Sequence, residues 1–182
     1  MDAAQVLGFW FDRDRKDWFA KDPEFDAEIG RRFLALYEQA ARGALAHWQS
    51  EARGSLALIV VLDQFPRNMF RASARAFAAD PLALAAARQA IERGQDRALA
   101  PSERMFVYLP FEHSESLADQ ERCCQLMDAL AEFPETKDIP EWARKHRDVI
   151  ARFGRFPHRN AALGRESTPE ELEYLKQPGS GF

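Results

Sequence analysis

The sequence has little of what marks secreted, zinc-binding and membrane proteins. Its 182 residues include two cysteines, Cys123 and Cys124, and adjacent cysteines suit neither an ordinary structural disulfide nor a zinc ligand set. No apolar run approaches the ~18 residues that a membrane span needs, and the N-terminus lacks the basic start and apolar core of a signal peptide. We therefore expect two reduced thiols in a soluble, cytoplasmic protein.

Lysine is also scarce, and the chain has no excess of positive charge. Five of its 25 basic residues are lysine and its net charge is -4. This charge predicts that neither nucleic acid nor a membrane surface is a partner. With 46% hydrophobic and 30% charged residues, the composition is typical of folded globular proteins, and the length fits one domain, residues 1–182.

The familiar enzyme signatures are missing as well. The sequence contains no GxSxG, no phosphate-binding P-loop, no GxGxxG, and no HExxH or CxxC metal motif. It therefore predicts no metal site and no cofactor, and it leaves open whether the protein is an enzyme.

Helix signals are present throughout the chain. Phe25 to Ala44 keeps helical spacing of apolar residues for about five turns. Leu56 to Leu62 has no polar face, which indicates a helix buried on all sides; a buried strand would also fit, but no partner strand is evident. Helix starts are marked by Asp2 with Gln5, Asp22-Pro23, Asp80-Pro81, Pro101, Ser116, Pro140 and Thr168-Pro169. We therefore predict an all-α protein of about eight helices, with a mobile tail from Gln177 to Phe182.

Three segments each combine an aromatic residue, a proline and ionisable groups. They are LDQFPRNMFR (Leu62 to Arg71), YLPFEHSE (Tyr108 to Glu115) and GRFPHRN (Gly154 to Asn160). Each proline removes a backbone donor and disfavours the α conformation of the residue before it, here Phe65, Leu109 and Phe156. Each segment should therefore lie at a helix kink or end. We predict that the three segments meet, with Asp63, Glu112 and Glu115 balancing Arg67, Arg155 and Arg159.

Asp63 is the most informative charged residue. It follows directly on the most apolar run of the chain, so its carboxylate should be partly desolvated and needs a cation or several N–H donors. Arg67 lies one helical turn further on, and Arg155 or Arg159 could approach from the third segment. Asp63 then either forms a structural ion pair or organises a bound ligand.

The candidate site residues come from the same three segments. His113 and Glu115 flank Ser114 and, with Asp63, are the candidate catalytic acid and base groups. Donors just after a helix break suit an anion such as phosphate or carboxylate. His146 lies on a helix face with apolar neighbours and is expected to be a core histidine. The candidate ligand-binding residues are Asp63, Arg67, Asn68, His113, Glu115, Arg155, His158, Arg159 and Asn160.

Six segments together resemble the bacterial domain-of-unknown-function family 924. They are VLGFWF, LDQFPRNMFR, DPLALAAARQAI, YLPFEHSE, GRFPHRN and LGRESTPEE, and they extend in order from about Val6 to Leu175. The resemblance implies stacked helical hairpins in a superhelix similar to tetratricopeptide-repeat proteins. It implies no catalytic role. The end of the chain, Gly179 to Phe182, departs from the Phe-Gly-Gln-like end common in that family.

Two functions remain open on this basis. The first is a binding module that accepts a peptide, a protein or a small anionic ligand at the Asp/Arg/His cluster. The second is a small-molecule enzyme that uses the same cluster for hydrolase-like acid and base chemistry.

Overall fold

The computed structural model describes residues 1–181, and its regular elements are helices. No strand forms within that range, which confirms the all-α prediction, and each of its helices is too short or too polar to cross a membrane. The helix α3 is made of three consecutive segments, Ala52–Ile59, Val60–Gln64 and Phe65–Met69. The other helices are α1 Ala3–Phe11, α2 Pro23–Ala41, α4 Asp80–Glu92, α5 Pro101–Glu112, α6 Leu117–Asp128, α7 Ile139–Phe153 and α8 Pro169–Leu175.

Several helix starts form as the sequence predicts. Asp2 and Gln5 form a capping box at α1, and Thr168 and Glu171 form one at α8. The Asp22 side chain accepts hydrogen bonds from the first backbone N–H groups of α2. Asp80 is different: it is the first residue of α4 rather than its N-cap, because its carboxylate binds Arg67 instead. These caps satisfy donors that no helix can satisfy internally.

The central helix α3 holds the core together. All side chains from Leu56 to Leu62 are buried, as predicted. The helices α1, α2 and α4 pack directly on α3, and then α4 packs on α5, α5 on α6, and α6 on α7. From α2 to α7, helices that are neighbours in sequence are thus neighbours in space. The tetratricopeptide-like superhelix stays a prediction.

A π-helical turn, Val60–Gln64, interrupts α3 just before Pro66. The Phe65 N–H bonds to the Val60 carbonyl oxygen five residues back, so the turn holds one residue more than an α turn. The expectation that Pro66 would push Phe65 out of the α conformation is wrong, since Phe65 has φ -58 and ψ -41. Its fully buried ring, 4.6 Å from that of Phe33, holds it there.

The other two prolines behave differently from each other. Pro110 lies inside α5, which continues to Glu112, so the prediction for Leu109 is also wrong. Phe156, before Pro157, is extended at φ -88 and ψ 107, as predicted. Each segment nevertheless lies at a helix end, as predicted, because α3 ends at Met69, α5 at Glu112 and α7 at Phe153. Only Pro157 lies beyond its α-helix, whereas Pro66 and Pro110 lie inside theirs.

The C-terminal segment folds back on the protein. Ser180 is buried, and its hydroxyl donates to the Leu175 carbonyl oxygen at 3.1 Å. Phe182, the last residue of the segment predicted to be mobile, lies outside the described residues. The mobility of this segment stays a prediction.

Alanine substitutions at two glycines, one crowded and one not, test the packing of the helices. A Cβ on Gly54 would lie 2.1 Å from the Trp48 carbonyl oxygen, whereas one on Gly30, in α2, would meet nothing within 4 Å. We expect Gly54→Ala to destabilise the protein by about 1–3 kcal/mol through overpacking. Gly30→Ala should stabilise it by about 0.5–1 kcal/mol, because alanine loses less backbone entropy in a helix. Urea unfolding of both variants measures this, and equal midpoints would contradict the close approach at Gly54.

Candidate functional site

The three proline-containing segments meet, as predicted. The Nδ1 atom of His113, from the second segment, lies 2.7 Å from Oδ1 of Asp63 in the first. Arg159, from the third, donates from Nη1 to the His113 carbonyl oxygen at 3.0 Å. Residues about 50 and 100 positions apart in sequence thus form one cluster at the ends of α3 and α5.

Asp63 is fully buried within the π turn of α3 and is surrounded by donors. Its carboxylate accepts from Gln64 Nε2 at 2.5 Å and lies 3.3 Å from Arg67 Nη1. Arg67 also donates to the Asp63 carbonyl oxygen at 2.7 Å. Burial alone would raise the pKa of Asp63, but Arg67 and His113 outweigh burial and hold this pKa below its usual range. Asp63 is therefore ionised at neutral pH.

His113 is held as the neutral tautomer with its proton on Nδ1. Burial and the charge of Arg67 lower the pKa of His113, despite the opposing effect of Asp63. Because an ionised carboxylate accepts the bond to Nδ1, that nitrogen carries the proton. The lone pair of Nε2 is left for a ligand or a proton. This is how a carboxylate orients a histidine that acts as a general base.

Asp80 and Arg159 extend the cluster. Asp80 accepts two hydrogen bonds from Arg67, at 2.8 and 3.0 Å, and lies 3.6 Å from Arg159 Nη1. The Arg159 guanidinium also packs on the rings of Phe77 and Phe156, 4.7 and 4.4 Å from their centres. Within the described chain, its buried Nε makes no hydrogen bond. Burial and the nearby charge of Arg67 lower the pKa of Arg159 to about 10.

A basic chamber of about 430 Å³ opens beside this cluster. Four cationic side chains and three histidines line it, and no Asp or Glu of the described chain does. Burial and the charge of Arg159 lower the pKa of one of those histidines, His158, to about 4. The lining residues are Trp18, Phe19, Ala20, Lys21, Gln64, Arg67, Asn68, Arg71, Ala72, Ala76, Phe77, His113, His146, His158 and Arg159.

An apolar chamber of about 850 Å³ adjoins the basic one and shares Phe19, His113 and His146 with it. Its other lining residues are Arg15, Lys16, Met105, Leu109, Glu112, Ile139, Trp142, Gly179 and Gly181. The segment after α1, the end of α5 and the start of α7 form its walls.

Glu112 is the one carboxyl group among the described residues lining the apolar chamber. Its Oε1 lies 3.5 Å from His146 Nδ1, and within the described chain its buried Oε2 makes no hydrogen bond. Burial and the charge of Asp63 raise the pKa of Glu112 to about 8. Burial lowers the pKa of His146 to about 3. Although their spacing is that of an ion pair, both groups are therefore uncharged near neutral pH.

Some predicted site residues lie elsewhere. Arg155 binds Glu171 at 2.6 and 2.8 Å and does not approach Asp63. Glu115 accepts from Arg165 at 2.7 and 2.9 Å, and Asn160 donates to Glu171. None of Arg155, Glu115 and Asn160 lines either chamber; these ion pairs join α8 and the preceding loop to the rest of the protein. Of the other candidates, Arg67, Asn68, His113, His158 and Arg159 line the basic chamber, and Asp63 supports it.

Sequence reasoning missed several contributors. Glu112 was expected to balance an arginine, but it faces His146, so that expectation is wrong. Asp80 was interpreted only as a helix cap. Phe19 and Lys21 lie in a loop segment with no recognisable motif, and His146 was expected to be only a core residue. The spacing of His146 from Trp142 fits its bond to the Trp142 carbonyl oxygen at 2.9 Å, but nothing in sequence indicates a nearby cavity.

Comparisons with known proteins identify the family. A family model described as a bacterial protein of unknown function, domain-of-unknown-function family 924, matches residues 6–179. The chain belongs to this family. A solved structure of a protein of unknown function from Agrobacterium tumefaciens is similar over 96% of each chain, with 46% identity and a TM-score of 0.89. No curated protein matches at a significant level.

The partners of Asp63 predict the effect of replacing it. Asp63→Ala leaves the Nδ1–H of His113 without its acceptor and removes one of the two carboxylates that face Arg67. We expect a loss of on the order of 3 kcal/mol in the free energy of unfolding. Asp63→Asn should cost less, since its amide still accepts from His113. Chemical denaturation of both variants measures this, and a wild-type midpoint for Asp63→Ala would contradict the burial of this carboxylate.

The raised pKa of Glu112 predicts how stability changes with pH. The folded pKa of about 8 lies above the usual 4.5, so between these values the folded state holds a proton that the unfolded state releases. The stability that the protonated Glu112 contributes is fully present below about pH 4.5 and is lost as pH rises through about 8. Glu112→Gln removes this titration. The free energy of unfolding of Glu112→Gln, measured relative to that of wild type, should therefore rise by on the order of 3–5 kcal/mol between about pH 4 and about pH 9.

Urea unfolding across this pH range measures that difference. Glu141→Gln is the matched control, because Glu141 is an exposed residue of α7 paired with Lys145. A Glu112→Gln difference that stays constant with pH would show that Glu112 titrates normally.

Proposed function

We propose that the basic chamber binds a small anionic ligand, with Arg159 as the principal cation. The observation that carries this proposal is a buried guanidinium, 6% exposed, in a chamber that no carboxylate of the described chain lines. Its Nε lacks a hydrogen bond there. Asp80, 3.6 Å from Nη1, compensates this charge only in part, and a carboxylate or phosphate in the chamber would complete the compensation.

The other cations support a small ligand. Arg67 is held by Asp80, and Arg71 by Asp26, in two-bond contacts that fix the position of each guanidinium. Arginines fixed in this way are preorganised for an anion. A chamber of about 430 Å³ is in the range of small-molecule sites, which favours a small ligand over a peptide or a protein.

A second candidate function is acid and base catalysis by the same cluster. The 2.7 Å contact between Asp63 and His113 favours it, because it leaves Nε2 of a neutral histidine as a base. Glu112, the residue before His113, has a raised pKa, whereas that of Asp63 is lowered. Carboxyl groups with pKa values moved apart are typical of hydrolase-like sites. A binding module releases its ligand unchanged, whereas an enzyme converts it, so product formation separates the two functions.

The binding proposal is tested by titrating the protein with inorganic phosphate and with acetate in a calorimeter. We expect Arg159→Gln to lose about 1.5–3 kcal/mol of binding free energy for each charged hydrogen bond removed. Arg144→Gln is the control, because Arg144 is half exposed, pairs with Asp128 and lines neither chamber. Equal affinities of wild type and Arg159→Gln, or no binding of either anion by wild type, would overturn the proposal.

A further inference from the structure

The basic and apolar chambers adjoin at three side chains that line both. Phe19, His113 and His146 each contact the two spaces. His113 is also fixed by Asp63 and by Arg159, so the junction lies beside the proposed anion site. A ligand anchored at Arg159 would reach the apolar chamber by passing His113.

The apolar chamber presents a buried floor and an exposed aromatic rim. Met105 and Leu109, from α5, are 1% and 5% exposed. Phe19 and Trp142 are 60% and 51% exposed, which is unusual for side chains of this size. An apolar body between floor and rim would remove water from both aromatic faces. The flexible side chain of Met105 adapts to bodies of different shape.

The two chambers differ in the charge of the side chains that line them. Near neutral pH, Glu112 is protonated and His146 is neutral, so the interior of the apolar chamber has no full charge. The charged residues that line this chamber, Arg15 and Lys16, are both cations. The ligand that matches this arrangement is apolar along most of its length and negative at one end.

We propose that the two chambers form one site for an amphipathic monoanion, an alkyl chain that ends in a carboxylate. The carboxylate lies at Arg159 in the basic chamber. The alkyl chain passes His113 and lies over Met105 and Leu109, beneath Phe19 and Trp142. This proposal rests on the anion site proposed above and adds the class of ligand.

The test compares probes that share one part of the ligand. Dodecanoate carries both the chain and the charge, acetate only the charge, and dodecanol only the chain. Titration calorimetry below the micelle-forming concentration should show dodecanoate binding at least about tenfold more tightly than either of the others, since each lacks the contacts of one chamber. Dodecyl phosphate, included beside dodecanoate, distinguishes a phosphate head group from a carboxylate.

Two variants separate the apolar contribution from effects on folding. Trp142→Ala should weaken dodecanoate binding about tenfold and leave inorganic phosphate binding unchanged, because Trp142 lines only the apolar chamber. Leu172→Ala is the matched control, since Leu172 is also 51% exposed but lines neither chamber. Both positions are solvent-exposed, so both variants should fold.

Each outcome decides between the two proposals. If phosphate binds but dodecanoate binds no better than acetate, the amphipathic ligand is wrong and the anion site stands. The same holds if Trp142→Ala leaves dodecanoate affinity unchanged. If dodecyl phosphate binds more than about tenfold tighter than dodecanoate, the carboxylate head group is wrong and a phosphate head group replaces it. If dodecanol binds as tightly as dodecanoate and phosphate does not bind, both proposals fail.

Discussion

The burial of one carboxylate, that of Asp63, determines the arrangement of charges around it. A buried ion is costly unless it is paired and hydrogen-bonded. Arg67 and His113 meet this requirement, and Arg67 in turn requires Asp80, which also lies near Arg159. The result is a connected set of charges drawn from α3, α4, α5 and the turn after α7. Because Asp63 leaves only Nε2 of His113 for other contacts, the same network that stabilises the fold also prepares the site.

The two neighbouring carboxyl groups show that environment, not residue type, sets the charge of a site. Asp63 and Glu112 are both buried, but donors surround only Asp63. Glu112 has a neutral histidine beside it and feels the negative charge of Asp63. One group is therefore ionised and the other protonated at the same pH. The protonated Glu112 leaves the interior of the apolar chamber without a full charge, whereas the arginines near the ionised Asp63 line the basic chamber.

Local signals in the sequence predicted much of the fold but only part of the site. The caps at Asp2, Asp22 and Thr168 depend on neighbouring residues, and they form as expected. Asp63 was predictable as a buried charge because the apolar run before it is local too. In contrast, the ion pairs between Glu115 and Arg165 and between Arg67 and Asp80 form only because of how segments distant in sequence pack against each other. Several arginines offer the same chemistry, so only the packing decides which arginine meets which carboxylate.

The π turn before Pro66 places one extra residue in the middle of α3. Each residue of an α-helix rotates the following ones by about 100°. A π turn takes up its extra residue by widening locally, so deleting one residue here would close it to an ordinary α turn and leave Arg67 near Asp80 and Phe65 in the aromatic core. Inserting a further residue would instead rotate Arg67 and Phe65 away from these contacts. The middle of α3 therefore has room for one residue fewer but not for one residue more.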